Sequence, residues 1–65
     1  MTIAESIKEL RVERGLSQAA LAKAIGVSQK AIDYWERGLN EPKASYIILL
    51  SDFFGVTADY LLGRE

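Results

Sequence analysis

Cysteine and histidine are both missing from these 65 residues, and proline, methionine and tryptophan occur once each. Without cysteine there is no disulfide framework, no thiolate nucleophile and no cysteine-ligated zinc. Without histidine the commonest general base and metal ligand is gone. Neither a glycine-rich phosphate loop nor a nucleophile motif accompanies the nine acidic residues. Enzymatic activity is therefore not expected, and no cofactor or metal is expected either. Long hydrophobic runs are lacking too. The longest, Tyr46–Leu50, falls far short of the ~20 residues needed to cross a bilayer, and the N-terminus has no signal-peptide pattern. A soluble, cytoplasmic protein with no membrane partner is the expectation. No repeat, linker or low-complexity tract divides the chain. It reads as one domain, 1–65, close to the lower size limit for a core that stands without staples.

What is present is helical spacing. Ile3, Ile7 and Leu10 fall on one face of a first helix running from about Ile3 to Arg14, with Thr2 and Glu5 spaced as a capping box and Gly15 as its stop. Ser17 and Ser28 are placed to cap a second and a third helix. Gly38–Lys43 contains glycine, asparagine and the single proline, and reads as a loop. A fourth helix is predicted over about Ala44–Phe54, closed by Gly55, and a short fifth begins after Thr57 and ends at Gly63. No segment alternates strictly between apolar and polar, so a β reading is poor. The fold class is all-α, with five helices.

The centre of the chain is the most informative part. In Gln18–Arg37, QAALAKAIGVSQKAIDYWER, Leu21 and Ile25 share a face of the second helix, and Ile32 and Trp35 share a face of the third. Val27 lies in the turn between them. Ala22 is small where a crossing helix must approach closely, and Gly26 sits where a helix usually ends in a left-handed residue. Apolar spacing, side-chain size and turn chemistry together describe a helix-turn-helix. Around it lie LRVERGLSQ (Leu10–Gln18), WERG (Trp35–Gly38), Pro42 and GVTADYLLG (Gly55–Gly63). With these pieces in this order, nearly the whole chain resembles the phage repressor and Cro-type DNA-binding domains, the XRE family. The resemblance implies a compact lambda-repressor-like fold in which helices 2 and 3 form the motif. It also implies sequence-specific binding to a double-stranded DNA operator.

The third helix then carries recognition. With Ile32 and Trp35 turned inward, Gln29, Lys30, Asp33, Tyr34 and Arg37 face away from the core. The family takes base contacts from the positions of Gln29, Lys30, Asp33 and Tyr34. Their chemistry fits: glutamine pairs with adenine, lysine donates to guanine, and tyrosine offers a ring to a thymine methyl or a hydroxyl to a phosphate. Asp33 can accept from cytosine but repels the DNA backbone. By the same resemblance Gln18, at the start of the second helix, contacts a phosphate, where amide, free N–H groups and helix dipole converge. Ser28, Arg11, Arg37, Asn40 and Lys43 complete the expected phosphate set, and Ser28 has an equal claim as a pure cap. The resemblance also implies a partly buried ion pair between Arg11 and Glu36, joining the first helix to the end of the third; the other reading is two unrelated surface charges.

Positive charge is scarce for a nucleic-acid binder, since the formal balance is −1. Its distribution softens the objection. Arg11 to Lys43 contains six basic residues against four acidic, whereas the two ends contain two against five. The proposed DNA side is the less negative one. Three to five phosphates neutralised per protomer would give a salt slope of about −3 to −4.5. On the fourth helix, Ile47, Leu50, Ser51 and Phe54 follow core spacing, while Tyr46, Leu49 and Phe53 make a further apolar stripe. Surplus apolar area on a small domain marks a contact surface. A two-fold homodimer using Tyr46, Leu49, Phe53, Ala58 and Tyr60 is expected, reading an inverted repeat as a repressor. The other reading is an interaction module, such as an antitoxin that binds a partner protein.

Overall fold

The computed structural model describes Met1–Arg64 as five helices packed within extents of 28 × 23 × 20 Å. They are α1 (Ile3–Glu13), α2 (Gln18–Ile25), α3 (Gln29–Glu36), α4 (Ala44–Phe54) and α5 (Ala58–Leu61), with no strand among the described residues. Each helix sends one fully buried aliphatic side chain to a common centre: Ile7, Leu21, Ile32, Leu50 and Leu61. Trp35, Phe54, Ala22, Ile25, Ile3 and Leu10 close around them. The tightest pairing is α2 on α3. Ala22 of α2 is buried in the core.

Side-chain caps set the helix starts. Thr2 and Glu5 form both bonds of the capping box, Glu5 N–H to Thr2 Oγ1 at 3.2 Å and Thr2 N–H to Glu5 Oε1 at 2.9 Å. The bond from the Thr2 backbone N–H, with the Thr2 hydroxyl adding to it, holds the Glu5 carboxyl below its ordinary range. Ser17 accepts from Ala20 N–H at 3.0 Å, Ser28 from Ala31 N–H at 3.1 Å and Thr57 from Tyr60 N–H at 3.0 Å. Between α2 and α3 the turn depends on Gly26, at φ +79°. The N–H groups of Gly26 and Val27 both donate to the Ala22 carbonyl at 2.9 Å, and Val27 folds back onto the core. These contacts fix the angle between the two helices.

Three features depart from the pattern reading. Tyr46 is not part of a free stripe on α4. Its ring packs against Trp35 with centroids 5.5 Å apart, and it is half-buried against the core. Ser6, one position from Ile7, is fully buried, and its hydroxyl meets no partner among the described residues. Arg14 joins the ends of two helices: its Nη2 donates to the Phe54 carbonyl at 2.7 Å, and its guanidinium lies 5.6 Å from the centre of the Phe54 ring. That bond satisfies a carbonyl at the end of α4 that has no partner within the helix.

Candidate nucleic-acid interface

The two buried residues of α3, Ile32 and Trp35, pin the helix to the core and decide which side chains are left outside. Gln29, Lys30 and Arg37 are exposed, and Asp33 and Tyr34 are half-buried. They occupy one outward surface in two i, i+4 couples. The Lys30 ammonium lies 5.5 Å from the centre of the Tyr34 ring. Alongside, Arg37 Nη1 lies 3.3 Å from Asp33 Oδ2. The first couple presents a cation and a hydroxylated ring together. The second nearly cancels its own charge.

Behind this surface runs a chain of polar contacts across three helices. Arg11 on α1 grips Glu36 on α3 with two bonds, Nε to Oε2 at 2.6 Å and Nη2 to Oε1 at 3.0 Å. Its Nη1 donates to the Leu16 carbonyl at 2.7 Å, tying in the loop before α2. The Arg11 and Glu36 side chains are only 13% and 3% exposed. Hydrogen bonds to Glu36 raise the Arg11 pKa from its already high ordinary value, outweighing the effect of burial. Gln18, the first residue of α2, continues the chain. Its Nε2 donates to Glu36 Oε1 at 3.2 Å and to Asp33 Oδ1 at 3.4 Å. Helix α3 is thus clamped at its C-terminal end from α1 and along its side from α2.

The expected phosphate residues meet different fates. Gln18 lies half-buried at the N-terminus of α2, with both amide hydrogens directed at carboxylates. Ser28 is exposed, and its oxygen caps α3, which leaves its O–H proton free to donate. Asn40 and Lys43 are exposed on the loop before α4, while Pro42 within it is buried. Of the expected dimer residues, Leu49, Phe53 and Tyr60 are exposed, and Ala58 and Tyr46 are half-buried. Ile48 and Leu62 are exposed as well, so α4 and α5 present more apolar surface than the spacing predicted. Sequence reasoning missed the link from Gln18 to Asp33 and Glu36. Its one visible signal was the i, i+3 spacing of the two carboxylates, which puts both on the side of α3 that meets α2. Among the described residues no group of three or more acidic side chains is placed to hold a metal ion. No helix among them is long and apolar enough to cross a membrane.

Comparison with known proteins agrees with this geometry. A family model described as helix-turn-helix matches residues 7–61. The chain belongs to the helix-turn-helix family. Within it, this domain is of the phage repressor and Cro type. It is 41% identical over 58 residues to repressor protein C2 of Salmonella phage P22, covering 89% of this chain and 27% of that protein. It is 38% identical over 65 residues to the HTH-type transcriptional activator BcrR of Enterococcus faecalis, covering all of this chain and 32% of that protein. The domain thus spans about a third of the length of these two relatives. A crystal structure of the P22 c2 repressor in complex with a synthetic operator superposes with a TM-score of 0.92 at 37% identity, covering 100% of this chain and 98% of that one.

Proposed function

We propose that this domain is a sequence-specific DNA-binding transcription regulator that inserts α3 into the major groove. The observation that carries the reading is the outward surface of α3. Gln29, Lys30 and Tyr34 stand on a helix fixed by Ile32, Trp35 and the Arg11–Glu36 pair, so their positions are set before DNA arrives. A helix fits the major groove, and residues near its N-terminus reach base edges first. Gln29 and Lys30 are therefore the principal base readers, with Tyr34 one turn further on. Gln18, Ser28, Arg11, Arg37, Asn40 and Lys43 form the backbone-facing set. The P22 c2 repressor, the matched relative whose structure contains a synthetic operator, supports repression as the mode of action.

Two copies make the working unit in this proposal. The exposed Leu49, Phe53 and Tyr60, with Ile48 and Leu62, supply the apolar contact, and two α3 helices then lie about 34 Å apart on one face of the duplex. A single domain with a formal charge of −1 has little backbone attraction to rely on, which favours paired half-sites. Its place of work is the cytoplasm, where the operator is. The test is selection of bound duplexes from a random pool. Enrichment of an inverted repeat with half-sites one helical turn apart is expected. No enrichment at low salt overturns the reading and directs the search to protein partners.

A further inference from the structure

We infer that Asp33 is an intramolecular competitor for phosphate, which restrains backbone binding so that base contacts decide where the domain stays. The inference rests on the DNA-binding reading above and assigns one residue of that surface a role of its own. Both donors that contact the Asp33 carboxylate, Gln18 Nε2 at 3.4 Å and Arg37 Nη1 at 3.3 Å, belong to the proposed backbone-facing set. The carboxylate therefore occupies the donors a phosphate oxygen would use. Both contacts are long for bonds to a charged acceptor. The Asp33 and Arg37 side chains are 35% and 61% exposed, so the pair adds little to the fold and opens readily.

The neighbouring carboxylate shows the contrast. Glu36 also accepts from Gln18, but it is 3% exposed and neutralised by two bonds from Arg11, so its charge is spent inside the protein. Asp33 alone presents negative charge on the outward surface of α3. Seating on the operator turns Arg37 and the Gln18 amide from Asp33 to the backbone, while on random duplex they stay with Asp33. Correct base contacts by Gln29 and Lys30 offset that exchange, whereas non-specific duplex supplies nothing to offset it. Because non-specific affinity is essentially all electrostatic, the restraint falls hardest there.

Asp33→Asn tests this, because asparagine keeps the shape and removes the charge. Affinity for a random-sequence duplex is expected to rise about tenfold, the effect of removing one charge ~7 Å from a phosphate at an effective dielectric between those of the protein surface and water. The salt slope should steepen by about 0.9 per protomer as Arg37 becomes a full phosphate contact. The gain in slope should vanish in Asp33→Asn/Arg37→Ala, which has no guanidinium to release. Melting temperature, measured alongside, should match the parent. Affinity and slope equal to the parent's would overturn the inference. So would loss of preference at a single base pair of the selected site, which would make Asp33 a base reader. A uniform loss of affinity with a lowered melting temperature would make it a structural residue and overturn the inference equally. A parent protein that enriches no sequence, while Asp33→Asn still gains on random duplex, would separate failure of the operator reading from failure of this one.

Discussion

Arg11→Ala should unfold this domain far more readily than loss of a surface charge would. The substitution removes both bonds to Glu36 and the bond to the Leu16 carbonyl, leaving the Glu36 carboxylate 3% exposed with Gln18 Nε2 as its remaining donor. Removing one partner of a buried pair costs about 3–5 kcal/mol, against about 0–1 for a surface pair. The Arg11 side chain retains 13% exposure, so water reaches the vacated site and the lower end applies, about 3 kcal/mol. With an unfolding entropy of about 2.1 cal/mol/K per residue, a chain of this length loses about 20 °C in melting temperature. Domains this small have only about 3–10 kcal/mol in total, so thermal melts followed by circular dichroism should start near 5 °C. Glu36→Gln, which keeps an acceptor for Arg11, should lose less. Arg11→Met/Glu36→Leu should recover most of the deficit, because well-packed apolar side chains replace a buried pair at little cost. An Arg11→Ala melt within ~3 °C of the parent would refute the reasoning, since it would mean the pair contributes no more than a solvated one.

Ser6→Ala should stabilise the domain by about 1 kcal/mol, because it deletes a fully buried hydroxyl that has no partner among the described residues and improves helix propensity; a lower melting temperature would show that the hydroxyl is satisfied. Glu5 predicts a pH dependence. Its folded-state pKa is lowered, so the native state binds fewer protons than the unfolded one, and the capping box contributes fully above the ordinary carboxylate range. That contribution is lost as pH falls through the lowered value, so acid should reduce the melting temperature of the parent more than that of Glu5→Ala; parallel curves would contradict this. Leu49→Glu places a charge on the exposed face of α4 and should abolish self-association in sedimentation velocity and weaken binding to an inverted repeat, while leaving the monomer fold intact. Identical sedimentation at high concentration, with unchanged DNA affinity, would remove the dimer from the account.

The helices were legible because their ends are chemical. Thr2, Ser17, Ser28 and Thr57 each cap through a side-chain oxygen, and Gly26 and Gly55 take the left-handed conformation that ends α2 and α4. Local rules of that kind can be read from spacing alone. The core was legible for the same reason, one apolar face per helix. Tyr46 was misplaced because its partner, Trp35, is on another helix, and the angle between α3 and α4 decides whether an aromatic at that register is buried. Arg14 and Phe54 are separated by forty positions, and nothing in either local sequence announces their bond. The surface of α3 could be listed from the sequence, but its electrostatics could not. Asp33 reads as a free acidic group until the crossing of α2 and α3 brings Gln18 to it. Long-range polar contacts of modest geometry leave no periodic trace, and that is where the sequence is silent.

The most direct test of the central claim, that α3 reads sequence through Gln29 and Lys30, is the ratio of specific to non-specific affinity at fixed salt. It should be measured for the parent and for Gln29→Ala/Lys30→Ala on the selected inverted repeat and on random duplex. The account predicts a ratio for the parent within the 10³–10⁷ range of specific regulators, and a fall of at least about a hundredfold in the double variant with the melting temperature unchanged. A double variant that keeps the parent's ratio would contradict it.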